Sequence, residues 1–181
     1  MKTVINILLF VILLSTNSCS KQDECDNSLD CLPLATQTGA NTAGCLINEK
    51  IFLPGGESLN SGSALHSQYL IYEGKYIFSL TIINFKDNIH LVQIGARDVE
   101  LIKNKTYKIT MKSESTVSGK YTIGGGLIDG FSTNNETNGE LTITNVDIPN
   151  RIISGTFWFD ASNAEGEIVQ IREGRFDVRY Q

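Results

Sequence analysis

The clearest strand pattern in the sequence lies in three runs, ELTITN at Glu140–Asn145, RIISGTFWFDA at Arg151–Ala161 and EIVQIREGRFDVRY at Glu167–Tyr180. Apolar and polar residues alternate along the first run and along Arg175–Tyr180 of the third, which is the period of a strand with one buried face. In the second run, Phe157 and Trp158 therefore point to opposite faces. Turn residues separate the runs, so together they predict a meander of consecutive antiparallel strands.

Shorter apolar runs with turns between them precede this meander. The clearest hairpin joins Tyr69–Tyr72 to Tyr76–Asn84, and an earlier one joins Cys45–Ile47 to Ile51–Leu53. Both faces of Asn88–Gly95 carry apolar residues, which predicts a central strand covered on both sides. We therefore predict one all-β domain of about ten antiparallel strands, arranged as a sandwich or a flattened barrel.

One glycine interrupts the last predicted strand. Gly174 lies between residues that continue the alternation on either side, and a glycine at such a position indicates a kink or a β-bulge.

The composition narrows the choice of partners. The chain of 181 residues has a formal net charge of −5, and its charges are scattered. The only local concentration of positive charge is Lys103-Asn104-Lys105. This distribution argues against nucleic acid as a partner.

The amino terminus has the features of a lipoprotein export signal. Lys2 precedes the apolar run Val4–Leu14, and the small residue Ser18 comes directly before Cys19. An eleven-residue helix would cover roughly 17 Å, about half of a bilayer core, so the run is too short to span. We predict a signal peptide at 1–18, lipidation of Cys19, a lipid-anchored tether at 19–31 and the all-β domain at 32–181.

Three further cysteines follow the lipidation site: Cys25, Cys31 and Cys45. In an oxidising compartment two of them should pair. We favour Cys31 with Cys45, since this bridge would close a polar loop of about 15 residues and contribute roughly 3 kcal/mol. No histidine lies near them, so we expect no metal site there.

Four aromatic residues are candidates for binding. They are Trp158, Tyr69, Tyr72 and Tyr76. An exposed aromatic row would suit a sugar ring or the surface of a protein partner, whereas core packing is the alternative for each of them.

The residues that could carry catalysis form no convincing set. His66 lies in a serine-rich loop without the Gly-x-Ser-x-Gly pattern, and His90 lies within a predicted strand. The carboxylate pairs Asp98/Glu100 and Glu165/Glu167 are explained by solvated strand ends. Oxygen ligands for Ca²⁺ occur without EF-hand spacing at Asp129, Asn134, Asn135 and Glu136. We expect neither an enzyme nor a cofactor.

Two parts of the chain resemble an uncharacterised family of Bacteroidota lipoproteins. One is LPLATQTGANTAGCLIN at Leu32–Asn48. The other comprises the closing segments Gly139–Thr144, Ile153–Phe159 and Gly174–Val178. Ala43 and Glu49 depart from the pattern. The resemblance implies the location and fold class, and it brings no activity or catalytic residue.

The tether supplies a second resemblance. Its acidic start, Ser20–Glu24, is similar to the signal that exports lipoproteins of that phylum to the cell surface. The resemblance implies a domain on the outer membrane that faces outward, with the periplasmic face as the alternative.

These observations favour a non-enzymatic surface lipoprotein that binds a glycan or protein partner, or that serves as an accessory subunit. Two alternatives remain. One is a calycin-like barrel that carries a small apolar ligand in its interior. The other is a hydrolase inhibitor that acts through the loop Ser132–Asn138.

Lipidation can be tested at the predicted residue. We expect Cys19→Ser to abolish the incorporation of labelled palmitate and to release the protein from the membrane fraction, because the thiol is the attachment point. Cys25→Ser, a matched change six residues further on, should keep both the label and the membrane association. Labelling that persists in Cys19→Ser would contradict the assignment.

Overall fold

The computed structural model describes residues 29–56, 62–86, 88–110, 116–124 and 130–181. A short 3₁₀ turn at Leu29–Cys31 precedes eleven strands. The strands are β1 (Thr42–Ile47), β2 (Lys50–Phe52), β3 (Leu65–Tyr72), β4 (Lys75–Asn84), β5 (His90–Arg97), β6 (Lys105–Lys108), β7 (Thr116–Ile123), β8 (Gly130–Ser132), β9 (Gly139–Asp147), β10 (Ile152–Ser162) and β11 (Ile168–Arg179). The predicted Cys19 lies outside the described residues. Within them, no helix has the length and apolar character needed to cross a bilayer.

All strand pairs are antiparallel, and they form one branched sheet that is not closed into a barrel. Strand β10 is the branch point. It pairs with β11 on one side, and β1 and β2 follow β11. On its other side it pairs with β9 along most of its length and with β8 only at Ser162, where the order continues through β7, β5 and β4 to β3. The all-β prediction is confirmed.

The sheet folds into two layers, with β9, β10 and β11 in one and β4, β5 and β7 in the other, and aromatic residues pack between them. Phe78 of β4 lies 6.1 Å from Phe176 of β11, measured between ring centroids. A Cβ atom at Gly119 of β7 would lie 2.9 Å from the ring of Phe159 in β10. The two layers are therefore in direct contact, as in a β-sandwich.

The predicted closing meander is confirmed as β9, β10 and β11. Leu141 and Ile143 of β9 are fully buried, and Phe157 and Phe159 of β10 belong to the same core. Between these two rings Trp158 faces outward and is half-buried. The predicted separation of Trp158 from Phe157 and Phe159 onto opposite faces of β10 is therefore confirmed.

The two predicted hairpins are also present. Glu73 and Gly74 turn the chain between β3 and β4 with φ values of 50° and 76°. Asn48 and Glu49 do the same between β1 and β2 with φ values of 46° and 68°. Two central residues with positive φ make a turn whose twist matches that of the paired strands, and Glu49 adopts this conformation without being glycine.

The prediction that β5 is covered on both faces is wrong. Val92, Ile94 and Ala96 are buried between the layers, but Gln93 and Gly95 on the other face are only half-buried. No described element packs over this face to complete a third layer, so it borders solvent.

The predicted Cys31–Cys45 disulfide is wrong as well. Cys31 is disulfide-bonded, whereas Cys45 carries a free thiol and is 0% exposed. Cys45 faces the core, where burial raises the pKa of its thiol well above the ordinary value. The preceding segment crosses the opposite face of β1, since Pro33 lies 3.1 Å from a Cβ built at Gly44. The strand itself therefore separates the Cys45 thiol from the segment that leads from Cys31.

A buried carboxylate fixes the segment that precedes β1. Asp177 of β11 points outward but is 0% exposed, because residues 36–40 lie over it. Its two oxygens accept hydrogen bonds from the Thr36 hydroxyl (2.6 Å), the Thr38 amide (2.9 Å), the Gly39 amide (2.8 Å), the Ala40 amide (3.1 Å) and the Ser154 hydroxyl (2.7 Å). One side chain thus joins the segment before β1 to β10 and β11.

These hydrogen bonds determine the charge state of Asp177. Burial alone would raise the pKa of this carboxyl, but the hydroxyl groups of Thr36 and Ser154 and the amides of Thr38 and Ala40 hold it well below its ordinary value. Because the folded-state pKa is lowered, this stabilisation is fully present above the unfolded pKa of about 3.9. It is lost as the pH falls from there towards the folded-state pKa.

We expect Asp177→Asn to lower the free energy of unfolding at pH 7 by about 3–5 kcal/mol, since the amide places a donor among groups that are themselves donors. The variant should also lose less stability than the wild type between pH 5 and pH 2. Urea unfolding across this pH range measures both effects.

The matched control is Asp98→Asn. Asp98 forms an exposed ion pair with Lys75 at 3.6 Å, so its loss should cost no more than about 1 kcal/mol. Equal destabilisation by the two variants would contradict the role given to Asp177.

Candidate functional site

The candidate site lies on the outer face of β9, β10 and β11, around Trp158. In the pairing of β10 with β11, Phe157 is opposite Gly174 and Phe159 is opposite Ile171. Arg172 and Glu173 therefore both lie opposite Trp158. This two-to-one arrangement is a β-bulge, which confirms the irregularity predicted at Gly174.

The packing beneath the bulge requires glycine at position 174. A Cβ atom there would lie 2.4 Å from the ring of Phe157. Glu173, directly before it, adopts a positive φ of 52°. The local backbone thus lets the Phe157 ring fill the core while the residues of the bulge turn towards Trp158.

Two charged groups flank the Trp158 side chain. The guanidinium carbon of Arg172 lies 5.4 Å from the indole ring centroid, which is within cation–π range. On the β9 side, Trp158 Nε1–H donates a hydrogen bond to Glu140 Oε2 at 3.4 Å. The ring is therefore held between a cation on β11 and a carboxylate on β9.

The orientation of Arg172 is itself fixed. It forms a 2.6 Å ion pair with Asp160 and donates to the carbonyl oxygens of Phe159 at 3.2 Å and Ile171 at 2.9 Å. A guanidinium held by several partners loses little further freedom when a ligand binds, which favours recognition by this side chain.

A groove of about 470 Å³ opens beside the indole ring. Ala35, from the segment that precedes β1, contributes to its wall. The polar side chains around it are Glu140, Thr142, Thr156, Arg172, Glu173 and Arg175. The groove, which we call the Trp158 groove, therefore combines one aromatic ring with hydroxyl groups and charges of both signs.

The predicted tyrosines do not share one environment with Trp158. Tyr69 stacks on Tyr76 with 6.0 Å between ring centroids and meets Tyr180 edge-on at 5.6 Å. Its hydroxyl oxygen accepts a hydrogen bond from the Leu101 amide at 3.1 Å, which ties the loop after β5 to β3. Burial raises the pKa of Tyr69. This tyrosine lies within a packed cluster at one end of the sandwich.

The other two predicted tyrosines differ from each other. Tyr76 lies beside Glu100, and that negative charge raises the pKa of the Tyr76 phenol. Tyr72 is 61% exposed at the β3–β4 turn, where Ile71 is 63% exposed. Of the four predicted aromatic residues, Trp158 and Tyr72 are thus the two whose rings are not part of the Tyr69 cluster.

The histidines and carboxylates weighed for catalysis are dispersed. Nδ1 of His90 lies 2.7 Å from the Tyr121 hydroxyl, and His66 is exposed on β3. The Asn134 side-chain oxygen accepts hydrogen bonds from the backbone amides of Glu136 and Thr137. These bonds close the turn that begins at Asn134. Asp129 lies outside the described residues. Across the described part of the chain, no group of three or more histidine, cysteine, aspartate or glutamate residues could hold a metal ion.

The comparison with known families adds one finding. Residues 80–178 match the family described as a domain of unknown function, DUF6252. This is more than half of the chain. The chain belongs to the DUF6252 family. No curated protein and no solved structure matches it.

The DUF6252 match runs from β4 into β11. It includes Trp158, Glu140, Arg172 and Asp177, but it leaves out the segment before β1 that contacts Asp177. The prediction of a domain family without an assigned activity is thus confirmed, and its lipoprotein character stays a prediction.

Sequence reasoning missed Glu140 and Arg172. Their positions relative to Trp158 depend on the register of β9 and on the bulge in β11. A single sequence offered only two signals for them, the tryptophan opposite two phenylalanines in one strand and the glycine at 174.

The bulge can be tested through Gly174. We expect Gly174→Ala to lower the free energy of unfolding by about 1–3 kcal/mol, because its methyl group overlaps the Phe157 ring. Gly95→Ala is the matched control in another strand, since its Cβ would meet Ser118 at an ordinary 3.6 Å. Urea unfolding compares the two, and a Gly174→Ala variant as stable as Gly95→Ala would contradict the packing described for the bulge.

Proposed function

We propose that this DUF6252 protein is a lipid-anchored, non-enzymatic binding module that holds a glycan in the Trp158 groove. The lipid at Cys19 would keep the domain on the outer membrane, facing outward. The tether at 19–31 would give the domain reach from the bilayer surface.

The observation that carries the proposal is the half-buried, outward-facing indole of Trp158 between Arg172 and Glu140. A sugar presents C–H groups on its ring face and hydroxyl groups around its edge. An aromatic surface with hydrogen-bonding groups beside it complements both features. Arg172 can donate, Glu140 can accept, and the Thr156 hydroxyl can do either.

The carboxylates nearest to Trp158 already have partners. Asp160 forms an ion pair with Arg172, and Glu140 accepts a hydrogen bond from the indole N–H of Trp158. A glycosidase needs one carboxyl group that protonates the leaving group and another that acts as a base or nucleophile. The partners of Asp160 and Glu140 suit positioning and recognition better than these roles.

Two features of the fold favour this proposal over the alternatives. A calycin-like carrier needs interior space, whereas the open sheet and the contact between Phe78 and Phe176 leave that part of the interior to side chains. An inhibitor loop should protrude, whereas Asn134 draws Ser132–Asn138 into a tight turn.

A protein partner is the second candidate function. The specific observation behind it is the adjacent exposure of Ile71 and Tyr72 at the β3–β4 turn. Exposed apolar residues at a hairpin tip are suited to contact with another protein surface.

Glycan arrays with the mature protein, followed by calorimetry on the glycans that bind, test the proposal. We expect Trp158→Ala to weaken binding at least about tenfold, because the ring supplies the apolar contact area. Tyr72→Ala, which removes an exposed aromatic residue outside the groove, should leave the affinity unchanged.

Two results would contradict the proposal. One is loss of binding in Tyr72→Ala with full binding in Trp158→Ala, which would move the function to the hairpin tip. The other is an absence of glycan binding together with turnover in a hydrolase assay.

A further inference from the structure

A second groove lies on the outer face of the other layer, across β4, β5, β7 and β8. Its volume is about 590 Å³. Strand pairing sets Ser79 opposite Gly95, and Gly95 opposite Ser118. Ser79, Gly95 and Ser118 are small, and they form one continuous row across three strands, which is the floor of the groove.

Longer side chains border this floor on both sides. One neighbouring row places Arg97 opposite Ile77 and Thr116. The other places Gln93 opposite Lys120, which in turn pairs with Ser132 of β8. Neighbouring rows on one face of a strand are about 6.6 Å apart, so the walls stand roughly 13 Å from each other. We call this feature the Gly95 trench.

Packing does not explain the glycine in the floor. A Cβ at Gly95 would meet its nearest neighbour at 3.6 Å, an ordinary contact, whereas a Cβ at Gly119, Gly139 or Gly155 would come within 3 Å of other atoms. Glycine within a strand is destabilising relative to alanine. Because Gly95 has no side chain, the trench is deeper at this position.

Positive charge faces this trench from both walls. Arg97 lies on one wall and Lys120 on the other, and the described residues that line the trench include no carboxylate. Neither cation forms an ion pair with a described residue, although the chain as a whole carries a formal charge of −5. Gln93 and the serine hydroxyls add uncharged donors and acceptors.

We propose that the Gly95 trench binds an acidic saccharide. Its anionic group would pair with Arg97 or Lys120, while the sugar hydroxyls would bond to Gln93, Ser79 and Ser118. The width of the trench accommodates an extended chain, and its walls complement negative charge. This site lies on different strands from the Trp158 groove and does not depend on it.

Calorimetry on the full mature protein in detergent tests the proposal. The probes are tetragalacturonate, a sulfated tetrasaccharide and the neutral maltotetraose. We expect at least one acidic probe to bind and maltotetraose to bind at least about tenfold more weakly, since hydrogen bonds to charged groups are the stronger kind. The preferred acidic probe identifies the anionic group as a carboxylate or a sulfate.

Variants locate the binding. Arg97→Gln combined with Lys120→Gln should lower the affinity for the acidic probe roughly tenfold or more. Lys75→Gln combined with Lys108→Gln changes the net charge equally outside the trench and should have little effect. Gly95→Val fills the floor without changing the charge and should also weaken binding, while thermal unfolding confirms that each variant is folded.

Three outcomes would overturn the proposal. They are equal binding of the neutral probe, an equal effect of the two double variants, and full binding by a folded Gly95→Val. Trp158→Ala should leave the acidic probe bound, so a failure here is distinguishable from a failure of the Trp158 groove.

Discussion

The buried carboxylate of Asp177 is the constraint on which the arrangement of the domain depends. A charged group without access to water is tolerated only when its oxygens are fully hydrogen-bonded, and residues 36–40 supply most of the donors. Those residues must therefore lie against the outer face of β11. The same placement brings Ala35 to the Trp158 groove. The hydrogen bonds that hold the segment before β1 therefore also position part of the wall of the candidate site.

Two glycines link the packing of the core to the geometry of the outer faces. At Gly119 and Gly174 the rings of Phe159 and Phe157 approach the backbone more closely than any side chain would permit. The close approach at Gly174 accompanies the bulge that places Arg172 beside Trp158. The packing of the Phe157 ring in the interior and the position of Arg172 on the outer face are thus set by the same few residues of β10 and β11.

Much of the fold follows from the sequence, because strand alternation is a local signal. It identified β9, β10 and β11, separated Trp158 from Phe157 and Phe159 on β10, and indicated the irregularity at Gly174. Asp177 shows where this reasoning ends. The alternation places it on the outer face, but only the path of residues 36–40 makes it buried.

The same limit applies to the sites and to the cysteines. The sequence places Trp158 on the face opposite Phe157 and Phe159, whereas the positions of its neighbours Glu140 and Arg172 depend on strand register and on the bulge. The Gly95 trench requires the pairing of four strands, and no single run of sequence contains it. The Cys31–Cys45 pairing failed because spacing along the chain does not show on which face of β1 the Cys45 thiol lies.

Trp158 is the single tryptophan of the chain, so its fluorescence reports on the proposed site without added labels. Glycan binding in the Trp158 groove can be tested by a fluorescence titration with a glycan that calorimetry shows to bind, combined with acrylamide quenching. If the glycan lies in the Trp158 groove, the emission should change saturably at the same affinity, and the bound form should be quenched less. Calorimetric binding that leaves both the emission and the quenching of Trp158 unchanged would contradict this placement of the glycan.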